Sequence, residues 1–483
     1  VTMDSDKTII ANFIPWQPPI GIPEPEFGIF ETYRMYDDLA KRNPALTYTQ
    51  NAEGGYYTHY IDNTHPNATD SGNPYGTASK PRRSIPQNLP AGSVVEVHSE
   101  LPATGPSGEV LISGEGTTEK PIFIRGVGNP RTERYLSVGY YGNSSYIIVE
   151  GMSFFSGGVV GRQEGTAFDT FYIAVRNCDF HGDENGGGFG IASYTSNEVH
   201  HIVLYDNVIH DNGIWNPEIA EGDQDNHGIA LGGNYVWVLD CELYHNSGDG
   251  IQIGGAWGGP HHVYVGRNIA HHNKQSGLWS KTAQDIIFSE NTVYGHRPSS
   301  SAYGTGMGLQ YDPKRVWFLF NHVYDNTGGG ITSQSEHLGG REDISCIGNV
   351  IHDIQQVPER TSTAWALSAW GDKDVSFIGN TMYNIDAGIG SGARANARVI
   401  IANNLFGNLN GPSIGYHIKV DRYTDYRNNV IVSNNLFQDL MNINTGCDSC
   451  IEADPLFVDA SNNDFHLQST SPAIDAGTSS GVI

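Results

Sequence analysis

Charge and cysteine are scarce in this chain. Only 17% of its 483 residues are charged and five are Cys. No apolar run reaches about 18 residues, which excludes a membrane-spanning helix. Basic residues are fewest, 27 Lys and Arg against 53 Asp and Glu, for a formal charge of −26. This balance excludes nucleic acid and anionic membranes as partners and is neutral toward uncharged sugars; a polyanionic substrate would need local Lys/Arg or a bridging metal. Cys178, Cys241 and Cys346 lie within strands and read as small buried residues, whereas Cys447 and Cys450 form a CDSC turn in which a local disulfide is plausible in a secreted protein.

Glycine is abundant, with 59 residues, and it punctuates a ragged internal repeat. An Asn-led apolar strand, a His/Asp-Asn corner and a Gly-Ile strand recur with lead positions at Asn177, Asn207, Cys241, Asn268, Asn291, Asn321, Asn349, Asn380, Asn403 and Asn434. Such a period means one supersecondary unit stacked on copies of itself. The second strands read GFGIASY, HGIALG, DGIQIG, SGLWSK, GGITSQ and AGIGSG, with period two and no helical spacing between them. The predicted fold is all-β, a parallel β-helix solenoid. Asn246, Asn273 and Asn326 then share one corner, where stacked amides can hydrogen-bond along the axis.

Alternation assigns the faces. Ile191, Ile229, Ile251, Leu278, Ile331 and Ile389 follow the glycine of each unit and are apolar in every rung, so they point inward. Outward second positions are Ala192, Ala230, Gln252, Trp279, Thr332 and Gly390; outward fourth positions are Tyr194, Gly232, Gly254, Lys281, Gln334 and Gly392, with Gln310 from the intervening rung. This stripe predicts a sugar-sized hollow with a polar wall, on which Trp215, Trp257, Trp279 and Trp370 are the aromatic candidates for stacking on pyranose rings and Gln252, Gln310 and Gln334 the polar ones. The densest charge beside it is WNPEIAEGDQDNHG, carrying Glu218, Glu221, Asp223, Asp225 and His227; Asp249 follows on the next rung and Lys281 on the one after. Three rungs span only about 10 Å, so carboxylates, imidazole and amine can reach one sugar ring.

The repeat resembles the right-handed, pectate-lyase-like β-helix superfamily of polysaccharide-active proteins, which implies a carbohydrate groove along one sheet. The order Asp225, Asp249, Lys281 resembles that of calcium-dependent pectate lyases, which implies Ca²⁺ held by Asp223, Asp225 and Asp249 with Lys281 as base. Gln252 stands where those enzymes carry another metal-binding Asp, and Lys281 comes two residues later in its strand. The Asp-Asn-His run is also similar to alginate epimerases, whose Arg-His partner is replaced by Gln275-Ser276. Two carboxylates among Asp223, Asp225 and Asp249 would alternatively serve a glycoside hydrolase of a neutral or sulfated glycan. The expected function is a polysaccharide lyase acting on a uronate polymer, with hydrolase as the alternative and a binding adhesin or a C5-epimerase behind both.

Residues 1–13 (VTMDSDKTIIANF) resemble the last strand of internalin-type surface repeats, which implies an upstream module and a larger, multidomain secreted or cell-surface bacterial protein, itself expected to be monomeric. Residues 14–90 are expected to cap the solenoid, with Phe30, Tyr33, Tyr36 and Leu39 on one face of a short helix; the solenoid is placed at 91–445 and a C-terminal cap at 446–483, where ADPLFVDASNNDFHLQSTSPAIDAG resembles the terminal segment of secreted bacterial β-helix enzymes.

Overall fold

The structure, a computed structural model, describes residues 16–161, 168–182, 186–193, 199–216, 224–255, 259–334, 341–356, 363–370, 372–392, 398–416, 430–438 and 447–478. Among these the chain winds into a parallel β-helix with three long sheets, of 12, 16 and 13 strands. Strands of the first, the Gly-Ile sheet, run from Val110–Ile112 to Ile414–Tyr416. The second carries the longest strands, such as Val199–Tyr205 and Lys314–Leu319, and the third the short ones that follow each Asn, such as Val208–His210. His59–Ile61 already pairs with Val95–Val97, so the first coil begins within the segment assigned to the cap.

The apolar alternation does what it predicts. Ile229, Ile251, Leu278, Met307 and Ile331 stack rung upon rung, and Leu367, Ile389 and Ile414 continue the column, all 0–2% exposed. Burying each such side chain contributes about 1.5–3 kcal/mol. One register differs from the alignment of the Gly-Ile motifs. Phe189, not Ile191, pairs with Ile229, and Ile191 pairs with Leu231. The Phe189 ring fills the core against Phe180, so it takes the place that Ile takes in later rungs. A slip of two residues keeps every side chain on its face, and Gly190 instead of Ala192 becomes the neighbour of Ala230.

The Asn corner is a continuous amide ladder. Asn268, Asn291, Asn321, Asn349, Asn380, Asn404 and Asn435 each donate from or accept at the side chain of the next rung, as in Asn291 Nδ2 to Asn321 Oδ1 at 2.9 Å. At three rungs the ladder residue is one position later than the sequence motif indicates: Cys178, Asn404 and Asn435 occupy it, while Asn177, Asn403 and Asn434 take left-handed φ of 51°, 58° and 50° and turn the corner before it. Asp206, Asp240, Arg267 and Glu290 do the same job elsewhere. A non-glycine residue in this region costs about 1–3 kcal/mol, which the ladder hydrogen bonds that follow offset. A second ladder joins Asn212 to Asn246 and Asn246 to Asn273, at 2.7 and 2.8 Å. Between Asn273 and Asn326 it is carried by His296, whose imidazole stands in for the amide: Nδ1 accepts from the Asn273 backbone N–H at 3.2 Å and Nε2 faces the Ala270 carbonyl at 3.2 Å.

The expected N-terminal helix is two short 3-10 turns, Tyr33–Asp37 and Leu39–Lys41. Tyr33 and Tyr36 are buried, but Phe30 and Leu39 are 55% and 73% exposed. The segment lies along the outer face of the second sheet: Phe27 packs on Tyr146 and Tyr172, and the Trp237 indole donates to the Pro23 carbonyl. The remnant of an upstream module expected at 1–13 lies outside the described residues. At the other end a small hairpin of Phe457–Asp459 and Asp464–Leu467 sets Phe465 against His352 and Tyr383, and Cys447 and Cys450 are disulfide-bonded.

Candidate functional site

The corner between the third sheet and the Gly-Ile sheet stacks three short turns: Asp225-Asn226-His227, Ser247-Gly248-Asp249 and Lys274-Gln275-Ser276. Their register follows from the strands they lead into, so His227, Asp249 and Ser276 share one ladder and Asp225, Ser247 and Lys274 another. The Asp249 backbone N–H donates to His227 Nδ1 at 2.9 Å. Occupied as an acceptor, Nδ1 leaves the proton of the neutral ring on Nε2, which lies 4.0 Å from Asp225 Oδ1. A Cβ at position 248 would come within 2.6 Å of His227 Nδ1, so Gly248 leaves the space in which the ring lies.

The two carboxylates differ sharply. The Asp225 side chain is 68% exposed and its Oδ1 accepts from Gln275 Nε2 at 2.8 Å. Asp249 is 3% exposed, with Oδ2 at 3.6 Å from His227 Nδ1, so it sits behind the imidazole. Lys274 is buried under the same corner.

A hollow of about 340 Å³ opens on the outer face here, lined by Tyr135, Gly188, Asp225, His227, Ala230 and Gln252 among others. Tyr135 stands at its far end, where Gly157 and Gly188 follow it on the next two rungs and leave the floor bare. Gln252 points into the hollow, and its Oε1 is buried without a hydrogen-bond partner among the described residues.

Other residues anticipated from sequence are spread along the same sheet. Lys281 lies one rung on from Gly254, its stem 3.5 Å from where a Cβ of Gly255 would be, which sets it at the rim of the hollow. Gln310, Gln334 and Trp370 continue its stripe over the next three rungs. Trp279 is only 4% exposed, because its six-membered ring lies over Gly308, so it fills the sheet surface and offers little face to a sugar. Trp215 stacks on His245 at 4.4 Å and is not part of the hollow's lining. Asp223 and Trp257, with Glu218 and Glu221, lie outside the described residues. Sequence reasoning missed Tyr135: it lies ninety residues before Asp225, and only the stacking of rungs brings the two together.

A family model described as the right handed beta helix region matches residues 216–358, which contain this corner. No curated protein matches the chain significantly. Among solved structures, the GH136 lacto-N-biosidase from Eubacterium ramulus is similar at 15% identity and a TM-score of 0.45, covering 76% of this chain and 66% of its own, so the chain spans about two thirds of that protein's length. PfbA, a surface adhesin of Streptococcus pneumoniae, is similar at 11% identity and a TM-score of 0.47, covering 68% and 86%. The pectate lyase Pel9A is similar at 14% identity and a TM-score of 0.46, covering 88% and 93%.

Proposed function

Taking a right-handed parallel β-helix as the premise, we propose that this protein is a polysaccharide lyase, cleaving a uronate-containing polymer by β-elimination in the hollow beside Asp225 and His227. The observation that carries the reading is the unequal pair of carboxylates. A hydrolase needs two carboxyl groups facing the scissile bond, and of the described pair only Asp225 faces outward while Asp249 stands behind His227. A lyase needs a base, a proton donor and something to quiet the uronate carboxylate. In the proposal Lys281, at the rim, removes the proton from the carbon next to the carboxylate. The electron pair forms the carbon–carbon double bond, the glycosidic C–O bond breaks, and the His227 Nε2–H protonates the departing oxygen. The Gln252 amide binds the sugar, and Gln275 holds Asp225 in place.

Ca²⁺ is part of the proposal. The outward carboxylate of Asp225 is a hard oxygen donor on the hollow and fits such an ion, with the buried Oε1 of Gln252, which has no hydrogen-bond partner among the described residues, as a second donor if the side chain turns outward; Asp249 is turned away and Asp223 lies outside the described residues. Bound there, the ion would neutralise the uronate carboxylate. The proposal also includes an extracellular or cell-surface monomer, for which the Cys447–Cys450 disulfide suits an oxidising compartment.

The test is incubation with pectate, alginate, glycosaminoglycan and neutral-glycan polymers, following ultraviolet absorbance of unsaturated uronate ends together with reducing ends. Both signals rising on a uronate polymer support the lyase. Reducing ends without absorbance mean hydrolysis, and neither signal on any polymer leaves a binding protein.

A further inference from the structure

Beyond the hollow, the outer face of the Gly-Ile sheet continues rung by rung to a distinct end. Its middle is the stripe Gly308, Thr332, Ser368 and Gly390, which pair in that order along the rungs. Along one edge runs the stripe of Lys281, Gln310 and Gln334, closed by Trp370. Along the opposite edge runs the ladder that begins with His227, Asp249, Ser276 and Thr305, which are buried, and ends in the half-buried Trp365. The two tryptophans come from the ends of one strand, Trp365–Trp370, and meet edge to face with centroids 5.8 Å apart and planes at 72°. Both are half-buried, and both reach over Gly390: a Cβ there would lie 2.7 Å from each ring. The glycine is thus the space into which the pair leans.

The geometry points to a second carbohydrate subsite in this aromatic corner, which takes the far end of an oligosaccharide whose reacting unit lies in the hollow. The inference rests on the proposed polysaccharide reading. Trp365 and Trp370 lie four rungs beyond Gln252, ~19 Å along the axis. Only an extended oligomer covers that span. The occupant follows from chemistry: an L-shaped pair of indoles gives a ring face for the apolar face of a pyranose, and the Thr332 and Ser368 hydroxyls with the Gln310 and Gln334 amides offer donors and acceptors to its hydroxyl groups. An apolar peptide would leave those polar groups unmatched. With Lys281 as the charged residue at the hollow end of its stripe, a uronate is favoured near the hollow and a neutral sugar at the tryptophans.

The experiment uses Trp365→Ala, Trp370→Ala and the conservative Trp370→Phe, with circular dichroism as a check on folding. Hexasaccharides and disaccharides of galacturonate, mannuronate, glucose and xylose are titrated by calorimetry, and kcat/KM is measured on whichever series is cleaved. The alanine variants are expected to lose about ten- to a hundredfold in hexasaccharide affinity and in kcat/KM, with disaccharides unaffected and Trp370→Phe close to wild type. Equal losses on short and long sugars, or none on either, overturn the subsite, as does a wild type that binds no hexasaccharide. If a hexasaccharide binds through the tryptophans but nothing is cleaved, the subsite stands and the lyase falls. If cleavage yields unsaturated ends and the variants match wild type at every length, the lyase stands and the subsite falls.

Discussion

The imidazole of His227 is oriented by the backbone of Asp249, whose N–H it accepts at 2.9 Å from one rung away. The backbone of one coil therefore sets the tautomer of a side chain on its neighbour. The carboxyl group of Asp249 lies behind the ring, 3.6 Å from Nδ1, and is not part of the hollow's lining.

Asp225→Asn should abolish turnover while leaving the Gln275 contact and the fold intact. Lys281→Ala should lower the rate about 10²- to 10⁴-fold if it is the base, with substrate affinity changed far less. Steady-state rates on the polymer found active decide both. A Lys281→Ala enzyme that weakens KM alone would make Lys281 a binding residue and remove the base from the proposal.

Chelation should lower the rate, and added Ca²⁺ should restore it where Mg²⁺ does not, since Mg²⁺ sheds its water reluctantly. Full activity after exhaustive chelation would take the ion out of the scheme and leave Gln252 and Lys281 to meet the substrate carboxylate.

Ile251→Asp should prevent folding, because Ile251 is wholly buried between Ile229 and Leu278 and an unpaired charge there costs several kcal/mol. Ile251→Val should cost only about 0.5–1.5 kcal/mol. Soluble expression and denaturant unfolding distinguish the two; a folded Asp variant would contradict the inward column.

Acid should destabilise the solenoid partly through His296. Burial pushes this imidazole down to about 3, so the folded protein keeps it neutral while the unfolded chain protonates it near pH 6.5. The contribution is fully present above that value and is lost as pH falls toward about 3, by up to about 1.4 kcal/mol per pH unit. His296→Asn restores an amide between Asn273 and Asn326 and should flatten that limb of the stability curve. Urea midpoints measured from neutral pH to pH 4 test it, and an unchanged slope would show that the site does not titrate on unfolding.

The inward column was legible because period-two alternation survives any loop length. Its register at Phe189 was not, since a two-residue slip leaves the alternation unchanged and only ring volume in the core decides it. The Asn ladder was legible as a motif, yet the paired Asn residues at 403–404 and 434–435 hid which of the two turns the corner. Asp225, His227 and Gln252 were readable as one site because they sit on adjacent rungs. Tyr135 was not, being joined to them only through the stacking, and the burial of Trp279 depends on a glycine one coil away that its own motif does not contain.

The amide ladder has a direction. Each Asn passes its Nδ2–H to the Oδ1 of the following rung, so every hydrogen of the column points the same way along the axis. Its last amide, Asn435, instead meets Cys450 Sγ at 3.9 Å, a sulfur already committed to Cys447. A disulfide sulfur has no hydrogen to hand on and is a weak acceptor. The column thus passes its last hydrogen to a group that hands none on, and the amide relay ends within the chain's own disulfide.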